Sequence, residues 1–183
     1  MDRQKVISIF SCLKSYFKMP QKYQQSMPAV PQAVWQNPLY FIGFGLGSGA
    51  MPFAPGTFGT LMAIPFYVLL SSLGLYAYFI FAVCFCVASA YLCDYLSRQL
   101  DVHDHPGMCI DEFAGFFVTM IAAPSGWPWI VLGFLLFRLF DIWKPWPIHY
   151  LDEKIHGGFG MVIDDVVAGV FALVVMQVVV RVA

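Results

Sequence analysis

Apolar residues in this chain come in long uninterrupted runs, with little alternation between apolar and polar positions. From Tyr23 through Cys93 there is no Lys, Arg, Asp or Glu, and residues 61–93 form one apolar run. That run is longer than one membrane span of about 20 residues. Ser71-Ser72-Leu73-Gly74 is its natural break, so it predicts two helices or one long kinked helix, with Pro65 tolerated inside. The second helix is expected to end in a polar turn from Asp94 to Arg98. Another apolar stretch, Phe113 to Phe140, is broken by Pro124-Ser125-Gly126-Trp127-Pro128 and reads as two more helices. Pro145 disfavours helix at Lys144 and should end the second of these sharply. A last apolar helix is expected over roughly Asp165 to Val180. At the other end, Val6, Ile7, Phe10, Leu13 and Phe17 fall at helical spacing, with Lys5, Lys14 and Lys18 elsewhere on the wheel. This fits either a short amphipathic helix on an anionic membrane face or a frayed extension. Residues 19–38 are rich in Gln and Pro and read as a linker. Residues 1–38 therefore form an extension and linker, and 39–183 a helical domain.

Composition agrees with the pattern. Of 183 residues, 60% are hydrophobic and 11% charged, with mean hydropathy +0.71, where soluble domains are about a quarter charged. This excludes disorder and points to an all-α bundle integral to or embedded in a membrane, several spans deep. A net charge of −1 leaves no electrostatic case for nucleic acid. The basic excess at Arg3, Lys5, Lys14, Lys18 and Lys22 places the N-terminus in the cytoplasm. No cleavable signal peptide is expected. The five cysteines show no CxxC pair and no Cys-x5-Arg loop, so they read as small buried thiols.

Against this apolar background, a repeated acidic pair carries the chemistry. Gly107-Met108-Cys109-Ile110-Asp111-Glu112 recurs as Gly160-Met161-Val162-Ile163-Asp164-Asp165. An Ala-Gly follows each (Ala114-Gly115 and Ala168-Gly169), and a histidine and glycine precede each (His105 and Gly107; His156, Gly157 and Gly158). One reading is helix capping, with Asp accepting backbone N–H groups at a helix start. The other is a metal or catalytic site, which two copies with adjacent second carboxylates favour. Gly115 and Gly169, each four residues after an Asp, would sit one turn below on the same face, where two helices can pack closely. The four carboxylates Asp111, Glu112, Asp164 and Asp165 then face one another and share a cation. Without it, at least one should titrate high.

The glycine-rich stretch from Gly43 to Thr60 offers a second feature. Its backbone N–H groups, with Ser48 and Thr57, are positioned to hold phosphate oxygens at the start of the next helix, and Gly56 and Gly59 permit close approach. The alternative is tight packing of small residues between helices. Arg138 and Asp141 lie three apart on one helix face, and Lys144 follows them; a lysine there neutralises a phosphate or anchors at the interface. Asp and Glu oxygens are the ligands a hard cation such as Mg²⁺ selects, often with substrate phosphate completing its shell. Carboxylates, a histidine able to move protons, and Lys or Arg for phosphate together point to phosphoryl hydrolysis. Asp104 or His105 is the candidate to orient or deprotonate water.

These segments carry a resemblance. Pro55-Gly56-Thr57-x-Gly59, Asp104-His105 with Asp111-Glu112-Phe113-x-Gly115, Phe137-Arg138-x-x-Asp141-x-Trp143-Lys144-Pro145-x-Pro147, and His156-Gly157-Gly158 with Asp164-Asp165-x-x-Ala168-Gly169 together resemble the bacterial phosphatidylglycerophosphatase A family, from about Gly43 to the C-terminus. The resemblance implies an all-helical fold, Mg²⁺ dependence, a multi-pass location in the bacterial inner membrane with the site facing the cytoplasm, and hydrolysis of phosphatidylglycerophosphate to phosphatidylglycerol. It implies catalytic roles for Asp104, His105, Asp111 and Asp164. Ser48, Gly56, Thr57, Gly59, Arg138, Lys144 and His156 would contact substrate, and Asp111, Glu112, Asp141, Asp164 and Asp165 would hold metal. Pro106 stands where a glycine is expected, and the extension before residue 38 departs from the family pattern. The sequence leaves two alternatives open: a phosphatase for another lipid phosphomonoester such as phosphatidate, and a non-catalytic transport or scaffold subunit on the same fold. Oligomeric state is not legible in it.

Overall fold

The computed structural model describes residues 30–102, 105–155 and 157–182. The expected amphipathic segment over 4–18, the first part of the linker, Asp104 and His156 lie outside the described residues. Among the described residues there are no strands. Seven α-helices follow one another: α1 (Pro38–Gly43), α2 (Pro55–Leu70), α3 (Leu75–Leu100), α4 (Ile110–Thr119), α5 (Trp127–Trp143), α6 (Ile148–Lys154) and α7 (Gly158–Val182), with 3₁₀ turns at Gln32–Trp35 and Gly45–Ala50. The all-helical expectation holds, as does the break near Ser71-Ser72; the break expected at residues 124–128 falls earlier, because α4 ends at Thr119 and α5 already begins at Trp127, and the first helix of the 61–93 run starts at Pro55. Further boundaries differ as well. The helix expected to close near Asp94–Arg98 runs on to Leu100, with Asp94 and Arg98 paired across one turn at 2.8 Å. The last helix starts at Gly158, well before Asp165. Gly157, at φ +90°, turns the chain into it, and a Cβ on Gly160 would strike Ile155 O. Glycines thus allow the first turn of α7 to form directly on the end of α6.

The bundle is organised around α4. It is only 10 residues long, about 15 Å, and is buried on nearly every side by α2, α3, α5 and α7. Phe113, Phe116 and Phe117 fill the space towards α2 and α3, where Phe116 and Phe117 meet Tyr67, Phe81 and Phe85 edge to face and Phe113 packs on Phe66. A helix that ends inside an apolar bundle leaves carbonyls with no intrahelical donor. Here neighbours supply donors: Tyr78 OH donates to Phe117 O at 2.9 Å. Just beyond the helix, Gln177 Nε2 donates to Ala122 O at 3.0 Å. A short buried helix is tolerable in this setting because these polar groups are satisfied within the protein.

Helices α4 and α7 cross closely at two glycines. A Cβ on Gly169 would collide with Gly115 O, and one on Gly115 would lie 2.6 Å from Asp165 O. Thr119 Oγ1 donates to Gly115 O at 3.0 Å and reaches Gly169 O at 3.4 Å. The expected close packing of these two glycines is therefore present, one turn below Asp111 and Asp165.

The exterior of the bundle is apolar. Tyr76, Ile80 and Tyr91 on α3, Leu135 and Leu139 on α5, and Val174 and Val178 on α7 are all exposed. Exposed apolar area on that scale suits contact with lipid or with another protein. Helices α3 and α7 are long and apolar enough to cross a membrane. Of the cysteines, Cys93 and Cys109 are buried as expected, whereas Cys84 lies exposed on the apolar face of α3.

Candidate functional site

Where the N-terminal turns of α4 and α7 meet the C-terminal end of α5, polar side chains enclose a cavity of about 220 Å³. It is lined by Asp111 and Glu112 from α4, Asp141 from α5, Lys144 just after it, and Asp164 and Asp165 from α7, with Met108, Ile155 and Met161 among its apolar walls. One oxygen from each of Asp111, Glu112 and Asp165 lies within 4.8 Å of the others. Asp141 is in hydrogen-bond contact with Asp165.

The two copies of the repeat do not occupy equivalent helix positions. Asp111 and Glu112 lie in the first turn of α4, behind Cys109, whose side chain makes no cap bond. Asp164 and Asp165 lie beyond the first turn of α7. Neither pair is at an N-cap position, although Asp111 Oδ1 accepts from Glu112 N at 3.1 Å within the first turn of α4, so a helix-start role covers the first pair in part and the second not at all. Within the second pair the roles divide: Asp165 joins the three-carboxylate group, and Asp164 Oδ2 accepts from Lys144 Nζ at 2.5 Å. The expected four-carboxylate set is thus three carboxylates plus an ion pair, all on one cavity. Lys144 reaches its place because α5 stops at Trp143, as Pro145 predicted, and because Lys144 adopts the left-handed φ +42°.

Burial among like charges raises one of the carboxyls, as expected. Burial, reinforced by Asp165 and Asp141, pushes the Glu112 carboxyl up to about 8, although its hydrogen bond with Asp111 and the nearby Arg138 pull the other way. Glu112 Oε2 is buried with no hydrogen-bond partner among the described residues. An orphaned carboxylate oxygen beside two further carboxylates is a donor set that suits a hard divalent cation. Burial pushes the Cys109 thiol up as well, so it stays neutral.

Other predicted residues stand elsewhere. Ser48 does not line the cavity: its hydroxyl is buried and donates to Gly45 O at 2.7 Å. A Cβ on Gly59 would lie 2.7 Å from Cys109 Cβ, so Gly59 admits the loop before α4. A Cβ on Gly56 would strike Glu112 Oε1. The start of α2 therefore faces the Glu112 carboxylate, in the place expected for a phosphate, and Thr57 belongs to that same first turn. Arg138 is paired with Asp141 on α5, as their spacing predicted, but does not line the cavity. His105 is 3% exposed and packs on Phe44, and its Nδ1 accepts from Gly107 N at 3.1 Å. This bond holds the 105–109 turn in shape.

Sequence reasoning missed the fit between the glycine-rich loop and the loop before α4. A Cβ on Gly49 would collide with Gly107 O, and Cys109 N donates to Gly43 O at 3.1 Å. The glycines at 43–49 thus set the entry of α4. The two glycine clusters were visible in the sequence, but nothing there showed that each packs on the other.

A family model for phosphatidylglycerophosphatase A matches residues 41–180. Phosphatidylglycerophosphatase A of Escherichia coli is 42% identical over 137 residues, covering 74% of this chain and 80% of that protein. The Haemophilus influenzae protein of the same name is 46% identical over 143 residues, covering 76% and 87%. A Bacteroides thetaiotaomicron protein with the provisional name phosphatidylinositol-3-phosphatase is 37% identical over 145 residues, covering 75% and 90%. No solved structure matches the chain. The matched stretch contains every residue that lines the acidic cavity, and the chain belongs to the phosphatidylglycerophosphatase A family, a family of phosphatases.

Proposed function

We propose that the protein is a Mg²⁺-dependent phosphatase that hydrolyses phosphatidylglycerophosphate to phosphatidylglycerol and phosphate, with its site at the cytoplasmic face of a bacterial inner membrane. The observation that carries this reading is the convergence of Asp111, Glu112 and Asp165 within 4.8 Å beside Lys144 on one cavity. Those three carboxylates would hold the cation, with Asp141 supporting Asp165. When bound, Mg²⁺ offsets phosphate charge and polarises the phosphorus. Lys144 binds a phosphate oxygen, exchanging part of its pairing with Asp164 for the substrate. Asp164, released from that pair, takes a proton from the attacking water as the new O–P bond forms. The P–O bond to glycerol breaks, and the proton passes to the leaving glycerol oxygen. The apolar exterior of α3, α5 and α7 keeps the acyl chains of the lipid in the hydrocarbon while the headgroup reaches the cavity.

A second reading is a phosphatase for another lipid phosphomonoester. It is favoured by the name of the Bacteroides relative and by the cavity lining, where the polar groups serve phosphate and cation. Both readings are tested by phosphate release from a panel of phosphatidylglycerophosphate, phosphatidate and phosphoinositide monophosphate, with and without Mg²⁺. Selective release from phosphatidylglycerophosphate in Mg²⁺ is expected. Equal turnover of the panel would favour the second reading, and full turnover in chelator would remove the metal from both.

A further inference from the structure

We propose that Arg138 is a positioning residue that sets the Glu112 and Asp141 carboxylates from the protein side of the cavity, and that Gly56 keeps the room this arrangement needs. The proposal rests on the phosphatase reading above and deepens the same site.

Arg138 lies on α5 one turn before Asp141, and Arg138 Nη1 donates to Asp141 Oδ2. Each side chain is 14% exposed, so this is no solvated surface pair. Asp141 and Glu112 line the cavity whereas Arg138 does not. Its guanidinium therefore meets the carboxylates from outside the space a substrate would enter. The start of α2 closes the arrangement. A Cβ on Gly56 would strike Glu112 Oε1 and would lie 3.2 Å from Arg138 Nη1, so Glu112 and Arg138 converge on a point where α2 has no side chain. Arg138 Nε is buried with no hydrogen-bond partner among the described residues, which marks a side chain held by its terminal nitrogens. A planar guanidinium fixes the direction of neighbouring carboxylates, whereas a lysine supplies a point charge. Lys144, which lines the cavity, is the cation that meets phosphate.

The test compares Arg138→Gln, Arg138→Lys and Lys144→Gln in the full chain, purified in lipid nanodiscs. It reads kcat and KM for phosphatidylglycerophosphate, and the calorimetric affinity for inorganic phosphate in Mg²⁺. Loss of a residue that orients ligand groups costs about tenfold to a hundredfold, so both Arg138 variants should lower kcat by at least about tenfold. Their KM and phosphate affinity should stay within about twofold, the signature of an interaction that acts on the reacting state alone. Lys144→Gln should weaken phosphate binding. Phosphate affinity lost at Arg138 as fully as at Lys144, or wild-type kcat in both Arg138 variants, overturns the proposal. If Arg138→Gln does not fold, Arg138→Lys keeps the buried charge and gives the same split. If the wild-type protein leaves phosphatidylglycerophosphate intact, the substrate reading fails, while the phosphate titrations still decide between Arg138 and Lys144.

Discussion

Gly169→Ala tests whether the helix crossing sets the site. The substitution adds one methyl group, and helix propensity alone would favour it. The structure predicts the opposite. The new Cβ would overlap Gly115 O and lie 3.2 Å from both Gly115 C and Val118 Cβ, whereas real Cβ atoms almost never come within 3.0 Å of a neighbour. The obstacle is backbone, so no side-chain rotation relieves it, and α4 and α7 must separate. Overpacking of this kind costs about 1–3 kcal/mol. The catalytic effect should be larger in proportion. Gly115 and Gly169 lie one turn from Asp111 and Asp165, so opening the crossing widens the gap between carboxylates on the two helices. A displacement on the order of 1 Å costs about a hundredfold in rate. The assay is kcat at saturating Mg²⁺ alongside thermal unfolding in the same detergent. Gly74→Ala is the control, since a Cβ there meets nothing within 4 Å. A folded Gly169→Ala enzyme with near wild-type kcat would refute the argument that this crossing spaces the carboxylates.

Three further outcomes follow from the geometry. Asp165→Asn should cut turnover by about a hundredfold and raise the Mg²⁺ concentration for half-maximal rate, while Asp164→Asn should cut turnover with that concentration unchanged; Mg²⁺ titrations of rate separate them, and identical behaviour would erase the division of roles. Ser48→Ala should leave KM unchanged and lower stability by about 1 kcal/mol through its lost bond to Gly45 O; a raised KM would return Ser48 to the phosphate. Because the metal-free Glu112 carboxyl is pushed up to about 8, the folded form holds a proton there that the unfolded chain has lost. Its contribution therefore erodes stability as pH rises from the ordinary carboxylate range through 8. Mg²⁺ displaces that proton, so it should raise the unfolding temperature more at about pH 8 than at about pH 6; equal increments would contradict the assignment.

Much of the fold could be read from the chain because its signals are local. Gly74, Pro128 and Pro145 act on their own backbones, and the breaks fall beside them. The acidic pairs were legible for a related reason: in a chain this apolar, a carboxylate has few places to be. The sequence could not show which carboxylates cluster together. Asp164 and Asp165 are neighbours in sequence, yet a helix turns successive side chains by about 100°, so one reaches Lys144 and the other reaches Asp111 and Glu112. Which of the two faces α4 depends on where α7 begins. That is set by Gly158 against Asp94 and Gly160 against Ile155, contacts whose partners lie outside the repeat.

The glycines show the same limit from the other side. Gly43 to Gly59 looked like a phosphate cradle because exposed backbone N–H groups and absent side chains suit an anion. The same absence of side chains suits another backbone. The structure uses Gly49 against Gly107, Gly59 against Cys109 and Gly56 against Glu112. Each contact fixes the turn from which α4 starts, and α4 carries two of the three clustered carboxylates. The group that faces the start of α2 is the Glu112 carboxyl, and the helix dipole there favours its charged form against the burial that pushes it up. The phosphate-loop reading and the packing reading of this stretch predict opposite results for Thr57→Val. A cradle requires KM to rise. A packed first turn beside Glu112 requires KM to hold while kcat and the Mg²⁺ requirement respond, and that split is what the present geometry demands.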